Sequence, residues 1–86
     1  IMAVTIESTE LLKTLKDMAV RKCNSKDCSF LKDKNRSLIL LLLDKIAYSK
    51  DPTYIYILKQ WEQIEYKKVR ERIQQVIQAI EGKDSE

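Results

Sequence analysis

Histidine is absent from this 86-residue chain, and glycine and proline occur once each. Without histidine the chain lacks the commonest general acid or base, the usual partner of a nucleophilic serine or cysteine, and the commonest metal ligand. No enzymatic activity is expected. The one glycine, Gly82, sits in the tail, so no glycine-rich phosphate loop can form. The same shortage of glycine and proline removes the punctuation that a turn-rich β domain needs, and the fold is expected to be all-α. Only two cysteines are present, Cys23 and Cys28. A structural zinc site takes four ligands, and no second cysteine or histidine pair exists to complete one, so neither metal nor other cofactor is expected. The two thiols read as reduced, partly buried and dispensable.

Long apolar runs are also missing. The longest, Leu38 to Leu43, spans six residues, where a membrane span needs roughly 20. No basic region followed by an apolar stretch opens the chain, and Glu7 and Glu10 soon interrupt it. No membrane association and no signal peptide are expected, and cytoplasmic residence is the default.

What is present suits a small folded domain. The chain is 44% hydrophobic and 34% charged with a net charge of +3, far from the composition of disordered proteins. A single domain over residues 1–86 is expected, with 1–5 and 82–86 frayed. Leu11, Leu12, Leu15, Met18, Ala19 and Val20 recur at helical spacing and place a first helix near 8–22, capped by Ser8 or Thr5. The small polar cluster Cys23 to Ser29 reads as a loop. A second helix is expected near 30–48, central in the fold because Leu38 to Leu43 leaves no polar face. Asp51-Pro52 is a helix cap followed by a residue suited to a first turn, and nothing breaks the pattern until Gly82. The segment from about 52 to 81 is therefore expected to be one long helix, completing a three-helix assembly. Tyr54-Ile55-Tyr56-Ile57 is rich in β-formers, but no second strand is available to pair with it.

That long helix would extend about 43 Å at 1.5 Å per residue, and two shorter helices could not cover it. Either it bends or a partner covers it. Along its edge Ile57, Trp61 and Ile64, continued by Lys68, form a row outside the main stripe. Clasped between helices one and two, the row would be core; exposed, it would be the anchor for a partner. The second reading is adopted. Glu62 and Glu65 fall within the core-facing sector, where an unpaired carboxylate is costly.

Two basic groups stand out. Arg21, Lys22, Lys26, Lys32, Lys34 and Arg36 face only Asp27 and Asp33, and Lys67, Lys68, Arg70 and Arg72 face only Glu71. Such clusters suit phosphate contacts, although the second points in several directions around a helix axis, and no helix-turn-helix, zinc-finger, homeodomain or RNA-binding signature accompanies them. The expected function is a helical accessory or adaptor subunit that docks on a larger protein, itself an enzyme acting on DNA or RNA. Direct nucleic-acid binding through residues 21–36, or self-association as a helical structural protein, are the alternatives.

Overall fold

Helix α1 spans Met2–Val20 and begins well before Ser8. The computed structural model describes the backbone of residues 2–82 and side chains from Ile6 to Gly82, so what was expected of residue 1 and residues 83–86 lies outside the described residues. The backbone of residues 2–5 is helical. Ser8 is no cap but a buried interior residue on the stripe formed by Leu11, Leu15, Met18 and Ala19. The helix ends in a paired-bond turn: the amide of Lys22 donates to the Ala19 carbonyl at 3.2 Å and that of Cys23 to Met18 at 3.0 Å. Lys22 occupies the left-handed position (φ 58°) where such turns favour glycine.

Residues read as a loop, and then as the start of helix two, form a 3-10 helix over Ser25–Asp33. Asn24 and Asp27 cap it reciprocally, each side chain accepting from the other's backbone amide. Runs of this length are uncommon because the geometry is tight. Here the buried residues Cys28 and Leu31 are three apart, and a helix of three residues per turn stacks both on the core side. Helix α2 then spans Arg36–Ser49, with the Asn35 side chain accepting from Ser37. Leu38, Ile39, Leu42, Leu43 and Ile46 are buried, but Leu40 is not, so α2 is covered on most of its circumference and not all round.

The expected long helix is two helices. α3 spans Thr53–Glu62 and α4 spans Lys67–Glu81. Asp51 and Pro52 open α3 as anticipated, with the Asp51 carboxylate accepting from the Thr53 amide at 2.9 Å. At the far end the amides of Gln63 and Ile64 donate to Gln60 and Trp61, tightening the last turn, and Tyr66 turns to extended backbone (φ −72°, ψ 163°) before α4 begins. Packing explains the break. A straight rod would leave Ile73, Val76 and Ile77 uncovered, whereas the turn packs α4 on α2 and α3 and buries them in the same core as Ile57, Leu58 and Trp61. The longest dimension of the molecule is 36 Å, shorter than the rod of about 43 Å would be.

The contacts close a cycle: α1 packs on α2 and α3, α4 packs on α2 and α3, and the 3-10 helix covers α3. One hydrophobic core runs through all five elements. Among the described residues the fold is all-helical, with no strand, and no helix is long and apolar enough to cross a membrane.

Candidate functional site

The row expected to anchor a partner lies inside the protein. Ile57 and Trp61 are both 0% exposed, and Ile64 is half-buried against the core. Lys68, on the far side of the corner, is exposed and belongs to α4. The bend that covers α4 also covers this row, and with it goes the reason for requiring a partner to cover the C-terminal third. Nor do the two carboxylates of the core-facing sector meet bases. Glu65, nearly buried, accepts from the Trp61 indole at 2.8 Å and from the Tyr66 amide at 3.2 Å. Glu62 accepts from the Gln74 side chain at 2.6 Å, tying α3 to α4.

The basic residues are regrouped by the fold. Arg21 pairs with Asp17 along α1 at 3.1 Å, the Lys22 ammonium lies 4.6 Å from the Tyr56 ring centre, and Lys26 is exposed on the 3-10 helix. Lys32, Lys34 and Arg36 instead line a cleft of about 220 Å³, with Leu31 and Ile39 at its base and Glu65, Tyr66 and Val69 opposite. Arg36 and Val69 also line a neighbouring hollow of about 240 Å³, whose rim carries Lys68 and Arg72. Five cations from the 3-10 helix, its exit, α2 and α4 thus line two hollows that share Arg36 and Val69.

Four carboxylates lie against them, Glu7, Asp44, Glu65 and Glu71. Lys34 is partly buried and pairs with Glu7 at 3.5 Å. Arg72 pairs with Asp44. Glu65 is occupied by Trp61, and Glu71 is the other carboxylate on the two linings. Among the described residues Arg36 and Lys68 form no ion pair, and the Lys32 ammonium rests 4.7 Å from the Tyr66 ring centre. Tyr66 itself is 69% exposed.

Sequence reasoning found half of this surface. Lys32, Lys34 and Arg36 were in the first basic group. Lys68, singled out as the continuation of the partner row, and Arg72 belong to the second group, whose bases point in several directions, yet these two are four residues apart and so share one face. That spacing was the available signal; their meeting with Arg36 depends on the corner at 63–66.

The cysteines are not equivalent. Cys23 is half-buried in the turn after α1, while Cys28 is enclosed. Burial, with Asp27 and Cys23 nearby, pushes the Cys28 thiol up to about 11 from an ordinary 9.0. Such a thiol stays protonated and unreactive at neutral pH. Among the described residues no three of cysteine, aspartate and glutamate gather as a metal site would require.

No family model matches the chain, and neither a curated protein nor a solved structure resembles it significantly.

Proposed function

We propose that this chain is a non-catalytic helical module that contacts the phosphate backbone of a nucleic acid through the face formed by Lys32, Lys34, Arg36, Lys68 and Arg72, as an accessory part of an assembly acting on DNA or RNA. The observation that carries the reading is the convergence of two sequence-distant basic groups on Val69, with Arg36 and Lys68 free of ion pairs among the described residues. Arg36 and Lys68, the two cations of the five with neither an ion pair nor a ring contact among the described residues, favour a partner that brings regularly spaced negative charge, and each phosphate neutralised releases counterions. The two hollows, about 220 and 240 Å³, are smaller than the roughly 300–1,000 Å³ of sites that enclose a small ligand. A shallow charged surface suits a polymer laid across it.

Fluorescence anisotropy with labelled oligonucleotides at rising salt tests this. Binding through three to five phosphates gives a log–log slope against salt of about −2 to −4.5. Arg36→Glu with Lys68→Glu should weaken binding at least about tenfold and flatten the slope, while the helical circular dichroism is unchanged. Binding that ignores salt, or that the double variant leaves intact, rules the face out. Preference for an acidic polypeptide over nucleic acid in the same assay would assign the face to a protein partner.

A further inference from the structure

Aromatic side chains are few, namely one Phe, one Trp and four Tyr, and most serve the fold. Trp61 and Tyr54 are buried, Phe30 packs half-buried on the core, and the Tyr56 hydroxyl donates to the Lys22 carbonyl at 3.2 Å. Two rings are left largely in solvent: Tyr48, 92% exposed, and Tyr66, 69% exposed. Tyr48 lies at the far end of α2 from Arg36, beyond the basic surface. Tyr66 lies within it, on the wall of the cleft that Lys32, Lys34 and Arg36 line.

The position of Tyr66 is fixed while its ring, with the Lys32 ammonium over it, stays largely exposed. Its amide donates to Glu65 at 3.2 Å, its carbonyl accepts the Arg70 amide at 2.8 Å, and Glu65 is held by the buried indole of Trp61. The backbone at the ring is therefore anchored in the core, and only the Lys32 ammonium is placed over the ring. A duplex gives the ring face nothing to stack on, because it presents phosphates outward and keeps its base faces stacked inside, and leaves only the tyrosine hydroxyl a phosphate to meet. A single strand presents both, and a cationic groove with an aromatic platform is how proteins hold one without reading its sequence.

We propose that this face takes single-stranded nucleic acid, with one base stacked on Tyr66 and the adjoining phosphates on Lys32, Arg36 and Lys68. This rests on the nucleic-acid reading above and narrows it from any phosphate backbone to an unpaired strand.

Anisotropy titrations would compare an oligothymidylate of about 12 nucleotides with a duplex of the same length, using wild type, Tyr66→Ala, Tyr66→Leu and Tyr66→Phe, each checked by thermal melt. The single strand should bind more tightly than the duplex. Tyr66→Ala and Tyr66→Leu should weaken single-strand binding by about 5- to 100-fold and leave duplex binding nearly unchanged, and Tyr66→Phe should retain most of the wild-type affinity. Because Tyr66→Leu keeps apolar bulk without a π face, it separates stacking from packing. Equal affinity for both oligonucleotides, or a Tyr66→Leu variant that binds the single strand as wild type does, overturns the inference and leaves the backbone reading standing. Failure of either oligonucleotide to bind at low salt overturns both.

Discussion

The indole Nε1 of Trp61 donates to the Glu65 Oε2 at 2.8 Å, four residues on, across the point where the chain stops being helical. Both groups are buried, and the other carboxylate oxygen takes the Tyr66 amide that opens α4. Two requirements are met by one residue: an acceptor for the buried indole and an acceptor for the amide at the corner.

Trp61 should accordingly behave as a core residue. Trp61→Ala is expected to destabilise by about 3–5 kcal/mol, a large share of what a domain of this size has, and urea melts measure it. Trp61→Phe keeps apolar bulk but removes the donor and should cost less. A Trp61→Ala protein that melts like wild type while losing a partner would restore the residue as a surface anchor.

Glu65→Ala leaves the indole N–H buried with no acceptor, which costs about 1–3 kcal/mol. The Trp61→Phe/Glu65→Ala pair should be less destabilising than the sum of its singles, since once the donor is gone the lost acceptor matters less. Strict additivity in a double-mutant cycle would show that the contact does not hold the corner.

At Lys50 the backbone is left-handed, with φ 53°. A side chain there is strained by about 1–2 kcal/mol, and glycine is the residue such helix ends favour. Lys50→Gly should raise stability by about 0.5–1 kcal/mol after the added freedom of the unfolded chain is deducted. An unchanged or lower melting temperature would show that the lysine makes contacts that offset the strain.

The thiols give a pH-dependent test. Cys28 is raised from 9.0 to about 11 by burial, so the fold favours its neutral form. That contribution is fully present below about pH 9 and is lost as the pH climbs towards 11. Tyr54 is raised as well, chiefly by burial, and works in the same direction. At neutral pH a thiol reagent should label Cys23 readily and Cys28 only on unfolding. Cys23→Ser should be nearly neutral, but Cys28→Ser places a hydroxyl in an enclosed site and should cost about 1–2 kcal/mol, so the two are not equally dispensable. Rapid labelling of both in the native state would contradict the burial of Cys28.

Asp51 responds at the other end of the scale. The Thr53 amide and the Lys16 ammonium, 3.1 Å away, hold its carboxyl below the ordinary value. Its contribution is present above the ordinary carboxylate range and is lost as the pH falls through its lowered value. Asp51→Ala removes the cap of α3 and should cost about 1 kcal/mol at neutral pH, with the difference from wild type shrinking in acid. A gap that persists at low pH would mean the aspartate acts by packing.

Fold class could be read from the sequence because scarcity of glycine and proline is a property of the whole chain. The apolar stripe of α1, the core of α2, the Asp51 cap and the Gly82 stop could be read because each is a local pattern. The corner at 63–66 could not, since Gln, Ile, Glu and Tyr are all tolerated within a helix and what turns the chain is the distant demand of Ile73, Val76 and Ile77 for cover. Misplacing that corner carried two errors with it. It put Trp61 on the surface, and it separated Lys68 and Arg72 from Arg36. The 3-10 helix was partly legible, in the Asn24-to-Asp27 spacing of a reciprocal cap, but a cluster of small polar residues reads first as loop.

A corner made without glycine or proline rests on the local Trp61–Glu65 and Glu65–Tyr66 hydrogen bonds together with the distant packing of α4, which bears on the order of folding. Helix formation takes about a microsecond or less, well before distant segments dock. The segment after Pro52 is thus expected to pass through an unbroken rod, non-native at residues 63–66, that snaps only when α4 reaches α2. Mutations at Ile73 or Val76 should then slow folding, while Glu65→Ala should chiefly speed unfolding. Stopped-flow chevrons on these variants would show the reverse pattern if the corner were already set in the denatured chain.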